Sequence, residues 1–417
     1  MIIQIIVPYF CNMIKTFLTY FLLLFCLNII SQNIKSIQLR PLQENNFSSI
    51  VPLGTVLELS FDDLDADSKD YQYKIEHMTH DWESSRLSSS QYINGFDQNT
   101  IIDVTNSFNT LQNYTHYSVR IPNVNTVITK SGNYLLSVLN YDDEVILTRR
   151  FVLYESATTV GVTVARSRNT KTLNTQQTVQ FSVNHPNITI NNPSQEINVV
   201  VLKNKNWNEK ITDLQPTFFK QNQLSYKYTN KTNFWGGNEY YNFDNKFISN
   251  SSLNIVRVIK KDIYHHYIYP ITYNKDREYS YNPDINGQFV IRTLEANDSK
   301  TEADYAMMHF SLFANEPFIG KQLYIYGAFN DFAISEDTKM QYNEKQKTYT
   351  ANFLLKQGFY NYTFATLDSK GNLNTNDVNG SFYETENEYT VIVYYKPFGG
   401  YYERVIGIGT GYFDQNK

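Results

Sequence analysis

Cysteine is nearly absent from this 417-residue chain: only Cys11 and Cys26 occur, both in the first 26 residues. If that segment is removed, the remaining chain has no thiol for a disulfide, a zinc site or nucleophilic catalysis. Charge is also sparse, with Asp, Glu, Lys and Arg making up 18% of the chain. There is no basic excess, since 36 Lys and Arg face 41 Asp and Glu for a net charge of −5. A chain without surplus cations has little with which to neutralise a phosphate backbone, which disfavours nucleic-acid binding. His-Glu-x-x-His, Gly-x-Ser-x-Gly and P-loop patterns do not occur, nor does a low-complexity tract or an internal repeat. What the chain does hold is aromatic: 34 Tyr and 27 Phe. With 41% hydrophobic residues it can bury a large core and is not a disordered chain. Its composition favours strands and turns over Lys- and Glu-rich helices.

One long apolar run stands out, from Phe17 to Ile30, preceded by Lys15. It is short for a spanning helix and interrupted by Thr19, Tyr20 and Asn28. A short apolar core behind a single lysine reads as a secretory signal peptide over residues 1–31, with Met13 the better start and cleavage after Ser31. Phe25 precedes Cys26, where a lipoprotein would need a small residue. A secreted chain with no remaining cysteine fits a bacterial periplasm.

Past the signal segment, short alternating runs recur. Leu57, Leu59 and Phe61 mark a strand with one buried face, and Tyr71–Ile75, Tyr117–Ile121, Tyr134–Leu139 and Val145–Leu153 follow. Asp62-Asp63, Pro122-Asn123, Ser131-Gly132-Asn133 and Asp142-Asp143 supply the turns. Further strands are expected at Thr159–Val164, Gln177–Val183, Ile197–Leu202, Leu253–Ile259 and Tyr264–Tyr273, where Pro270 marks an edge. The last set is Leu323–Gly327, Tyr349–Leu355, Phe359–Thr366 and Tyr389–Tyr395. The expected fold is all-β, with tandem immunoglobulin-like sandwiches at residues 32–155, 156–300 and 301–417. Residues 295–304, polar and charged, serve as the last linker.

Candidate chemistry is thin. His77, His80 and Asp81 form the densest ligand cluster, but on a strand the odd spacing sends the two histidines to opposite faces. The adjacent His265 and His266 divide in the same way. Asp62, Asp63, Asp65 and Asp67 offer oxygen ligands without the glycine and distal glutamate of an EF-hand, so a solvated turn is expected. Gly407, Gly409 and Gly411 lack the strand–turn–helix context of a phosphate cradle and are expected to form a mobile or bulged end strand. Trp82 and Trp235 could stack on sugars or fill a protein interface; core packing accounts for most other aromatics. No catalytic, metal or cofactor residue is assigned, and a non-enzymatic protein is expected.

An ordered string of segments then narrows the reading. It runs through Val51-Pro-Leu-Gly54, Leu59-Ser-Phe-Asp-Asp-Leu64, Tyr71-Gln-Tyr-Lys-Ile75, His80-Asp-Trp82, Tyr92-Ile-Asn-Gly-Phe96, Ser131-Gly-Asn-Tyr134 and Leu147-Thr-Arg-Arg-Phe151. It continues through Phe234-Trp-Gly-Gly-Asn-Glu239, Tyr326-Gly-Ala-Phe-Asn330 and Gly358-Phe-Tyr-Asn-Tyr362. This string resembles the plug proteins of the type IX secretion system of Bacteroidota. The resemblance implies a periplasmic, non-enzymatic protein at the inner face of the outer membrane. Its expected partner is the β-barrel translocon, whose periplasmic mouth it blocks while no cargo is in transit. Cofactor, nucleic-acid binding, membrane insertion and small-molecule substrate are not expected, and the residues that meet the translocon are not identified. The third block also resembles an early-set sandwich of the glycogen-binding type through Gly327–Asn330 and Gly358–Tyr362. That supports a rival reading, a carbohydrate-binding protein of an outer-membrane glycan-uptake system.

Overall fold

The alternation at Leu57, Leu59 and Phe61 does what a period of two dictates: these side chains are buried, and Glu58 and Ser60 between them are only partly so. In the computed structural model, which describes residues 33–413 except 44 and 275, this strand (Leu57–Asp63) lies between Ile34–Pro41 and Thr115–Ile121, with Asp103–Asn106 beyond. A second sheet faces it, in the order Ile50–Pro52, Val145–Tyr154, Gly132–Leu139, Gln72–Met78 and Gln98–Thr100. Aromatic pairs fill the space between: Phe61 stacks on Tyr117 at 5.1 Å and Tyr134 on Phe151 at 5.2 Å. The signal segment expected at residues 1–31 lies outside the described residues.

The all-β class holds, but the expected division near residue 300 does not coincide with the sheets. The second sandwich takes Thr159–Arg166, Gln176–Asn184, Gln223–Tyr226 and Phe218–Lys220 as one sheet. Its other sheet runs Asn206–Ile211, Ile197–Lys203, Asn387–Tyr395, Arg404–Phe413. The last two strands among the described residues therefore complete the second sandwich. The third sandwich is an insertion: eight strands between Tyr241 and Asp368 form one continuous path, from Tyr241–Asp244 through Gly358–Asp368 to Ile255–Lys260. The physical reason is burial. Val391 and Val393 join Val199, Val201 and Phe181 in one core, whereas Ile255 and Ile268 join Phe310 and Tyr360 in another.

The expected linker 295–304 is not free. Ala303 is fully buried, its carbonyl accepts from the Tyr114 hydroxyl at 2.8 Å, and the Asp304 carboxylate accepts from the Leu111 N–H at 2.7 Å and the Gln112 N–H at 3.1 Å. Linker and first sandwich are thus in direct contact. From Ile34 onward the chain is one compact unit.

Candidate functional site

The sequence-predicted ligands are all engaged in structural contacts. His77 is buried against Tyr92 and Tyr134, and burial pushes its imidazole down to about 4. His80 turns elsewhere, to the Glu403 carboxylate at 2.9 Å, and its backbone N–H donates to the same group at 2.8 Å. His266 is buried and bonded to the Ile248 carbonyl at 2.8 Å, while His265 Nδ1 lies 2.9 Å from His309 Nε2. Asp63, Asp65 and Asp67 do converge, and the Lys69 ammonium sits among them, 2.9 Å from Asp63, 3.3 Å from Asp67 and bonded to Asp65. Lys69 stands where a cation would. Asp62 faces away from this group and belongs to the lock described below.

The glycine-rich end is a strand whose register against Asn387–Tyr395 shifts beside Gly407, with Ile406 the extra residue between Gly407 and Val405. Gly407, Gly409 and Gly411 share one face of Arg404–Phe413, and that face presses onto Thr159–Arg166. A Cβ on Gly409 would lie 2.4 Å from the Val160 carbonyl oxygen, so only glycine permits this approach. The Trp235–Glu239 loop is the strap by which the chain leaves the second sandwich for the third. It runs beside residues 380–387, where the chain returns. The Gly237 carbonyl accepts from the Phe382 N–H and the Thr385 hydroxyl, both at 2.8 Å, and a Cβ on Gly236 would be 1.9 Å from the Phe382 carbonyl oxygen. Glu239 is buried here, its carboxyl raised by burial and bonded by the Tyr279 hydroxyl at 2.6 Å.

Buried polar contacts lock the three sandwiches together. Between first and third, the fully buried Asp62 carboxylate accepts from His116 Nδ1 at 2.6 Å, the Tyr305 hydroxyl at 2.6 Å and the Lys356 ammonium at 2.7 Å. Burial pushes this carboxyl up, but Lys356 and His116 outweigh it and hold it below its ordinary value. Between second and third, the Tyr326 hydroxyl accepts from Asn206 at 3.2 Å and Asn208 at 3.1 Å. Between first and second, the Tyr394 hydroxyl donates to Asn133 at 2.9 Å, and Trp82 meets Trp207 edge to face at 4.8 Å.

Two surface features involve the first sandwich. At one end of the first sandwich, the ribbon pairing Ile93–Gly95 with Thr126–Ile128 presents Phe96, Val124 and Val127, exposed by 67%, 98% and 40%. Tyr141, 83% exposed, stands on the neighbouring turn, tied in by Gln98 and Asp143. The other feature is a cleft of about 870 Å³ where all three sandwiches meet. The first gives Arg40, Arg149 and Arg150, the second Lys205 and Lys210, and the third the turn Ala328–Asn330 with Asp331 and Phe332. Asp331 and Phe332 both take left-handed backbone conformations, φ 56° and 53°.

Residues 34–155, the first sandwich, match the family model for the type 9 secretion system plug protein 1st domain. The first sandwich is a type IX secretion system plug protein first domain. The likeness extends past that domain. A crystal structure of a hypothetical protein from Parabacteroides merdae ATCC 43184 is similar at 32% sequence identity and a TM-score of 0.87, over 91% of this chain and 97% of that one. No curated protein matches the chain. The matched domain supplies both the exposed apolar ribbon and one wall of the cleft. Sequence reasoning found neither. The ribbon residues are scattered singly along the chain, and the cleft joins segments more than 300 residues apart in sequence, such as Arg40 and Leu373.

Proposed function

We propose that this protein is a periplasmic plug that covers the inner mouth of the type IX outer-membrane translocon while no cargo is in transit, acting by shape and without enzymatic chemistry. The match of the first sandwich to the plug protein domain supports an association with the secretion system. The observation that carries the finer reading is the buried lock at Asp62, with its counterparts at Tyr326 and Tyr394, because a cover over a wide opening must move as one body. Interfaces between domains of one chain are ordinarily loose and polar; here they contain fully desolvated ionic and hydroxyl groups. The apolar ribbon at Phe96, Val124, Val127 and Tyr141 is the surface best suited to dock against the barrel, since clustered exposed apolar groups mark interaction sites. The glycan-uptake reading calls for a flat exposed aromatic row. Instead, Trp82 and Trp207 pack against each other, and Trp235 is half-exposed on the strap.

Deleting the gene should leave secretion working while making the outer membrane permeable to large antibiotics. A strain carrying Phe96→Asp with Val124→Asp should show the same leak with normal amounts of folded protein, which no longer copurifies with the translocon. Unchanged permeability of the deletion strain, with the translocon present, would overturn the proposal.

A further inference from the structure

Three strands that border the cleft pair on one side only. Ile34–Pro41 pairs with Leu57–Asp63 alone, and Asn206–Ile211 with Ile197–Lys203 alone. The third is Val145–Tyr154. Gly132–Leu139 covers one side of it, and Ile50–Pro52 covers the other only from Val152 to Tyr154. There the Val152 N–H donates to the Ser49 carbonyl at 2.9 Å and the Tyr154 carbonyl accepts from the Leu53 N–H at 2.9 Å. The even-numbered backbone groups of this strand therefore point away from Gly132–Leu139. By the same period of two, Thr148 and Arg150 direct their N–H and C=O groups along the uncovered edge, which lines the cleft. The Thr148 carbonyl accepts from Arg149 Nη1 at 2.8 Å; the Thr148 and Arg150 N–H groups have no partner among the described residues. An unpaired edge beside a hollow is a template for another strand.

The charge around it selects the strand. In a chain of net charge −5, the cleft is bordered by five cationic side chains and one carboxylate, Asp331. Lys205 is neutralised by Glu388 at 2.7 Å, and Arg40 lies near Glu58. Arg150 packs its guanidinium on the Trp82 ring at 4.9 Å, and Lys210 is exposed. Arg149 is the least satisfied. Its side chain is 16% exposed, and its nearest carboxylate, on the largely exposed Asp331, is 3.8 Å away. A guanidinium offers five N–H donors in a planar fork, and a desolvated one gains most from a carboxylate held in plane with it.

We propose that the cleft binds an extended acidic polypeptide segment, which adds as a strand to the free edge at Thr148–Arg150 and sets a carboxylate on Arg149. The backbone supplies affinity without sequence preference, and Arg149 selects acidic side chains at alternate positions of the added strand, those on its own face of the sheet, with the exposed Lys210 adding to the positive field of the cleft. The site stands independently of the plug reading. The Ala328–Phe332 turn forms the far wall, so the segment is enclosed by all three sandwiches.

The test is fluorescence anisotropy on the purified chain with a labelled octapeptide of alternating Glu and Val, and its Lys and Val counterpart as control. The acidic peptide should bind and the basic one should not. Arg149→Met should weaken binding at least tenfold and the exposed Lys210→Gln several-fold. Thr148→Pro should also weaken it at least tenfold while leaving the melting temperature in place, because proline is tolerated on an edge and removes only the outward N–H. Three results overturn the proposal: no binding of the acidic peptide, equal binding by Lys210→Gln and Arg149→Met, or undiminished binding by Thr148→Pro. Retention on phosphatidylglycerol vesicles without any peptide binding would also overturn it, by assigning the cations to a lipid surface.

Discussion

Replacing Lys356 with methionine tests the lock between the first and third sandwiches. Methionine keeps the length of the side chain and removes the charge. Lys356 and Asp62 are each 1% exposed, 2.7 Å apart, and the ammonium also donates to the Lys300 carbonyl at 2.6 Å and lies 4.0 Å from the centre of the Tyr114 ring. Removing one member of a buried pair leaves the other charge without compensation, at a cost of about 3–5 kcal/mol. His116 and Tyr305 still donate to Asp62, which puts the expected loss at the lower end. At about 1.2 °C per kcal/mol for one cooperative unit of some 380 residues, the thermal midpoint should fall by roughly 4 °C. The double variant Asp62→Asn with Lys356→Met carries no stranded charge and should recover part of the loss. The pH profile gives a second check. A carboxyl held below its ordinary value contributes stability that is present above about pH 4 and lost as pH falls through the folded value. In Lys356→Met the carboxyl rises, so the loss should begin at higher pH. Circular-dichroism melts measure both. A fall of less than about 2 °C, or a double variant as unstable as the two singles added, would refute the reasoning.

Three further outcomes follow from other parts of the fold. Gly409→Val puts a branched side chain against Val160 and should lower the urea midpoint by about 1–3 kcal/mol of stability; an unchanged midpoint would mean the two strands do not close on each other. The melting temperature should be insensitive to calcium at about 5 mM, whereas Lys69→Gln, which empties the ammonium from among Asp63, Asp65 and Asp67, should become calcium-stabilised; a calcium response in the native protein would contradict this. The Glu403 carboxylate raises the His80 imidazole above its ordinary value, so its contribution, at most about 1 kcal/mol, is complete below about pH 6.5 and lost as pH rises through the folded value. His80→Asn should abolish that component of the pH dependence in chemical-denaturation curves taken between about pH 6 and 9.

Strands were legible in the sequence because their signal is local. Leu57–Phe61 and Tyr71–Ile75 alternate over a few residues, Tyr134–Leu139 follows a Ser-Gly-Asn turn, and the structure has strands at each. Partnership was not legible. Tyr389–Tyr395 is buried at nearly every position, so its pattern says only that both faces are covered. Its neighbour Ile197–Lys203 is almost 200 residues earlier, and no periodicity carries that information. Pro270 did mark a break, between Tyr264–Ile268 and Ile271–Thr272, but in a sheet of the third sandwich rather than the second. The alternate glycines at 407–411 carried a signal with the right period for a strand face. Its meaning, one backbone pressed on another, needed the partner strand to be visible. Lys69 among the aspartates was equally within reach, two residues beyond Asp67, had the acidic run been read together with the next cation.

The inserted third sandwich sets an order of assembly. A chain delivered from its N-terminus can finish the first sandwich once residue 154 has emerged, and the third once Leu373–Asn374 has paired and Val378 has joined its core. The second must wait for Asn387–Tyr395 and Arg404–Phe413: until they arrive, one of its sheets consists of Asn206–Ile211 and Ile197–Lys203 alone, and Val179 and Phe181 of the facing sheet are only partly covered. The middle of the molecule is thus the last part to become solid. A truncation of some thirty residues at the C-terminus would remove both strands, exposing the second core and leaving the other two sandwiches joined through an unclosed centre. In a cell, a chain released too early would carry that defect as an exposed apolar sheet, the form that chaperones and proteases recognise.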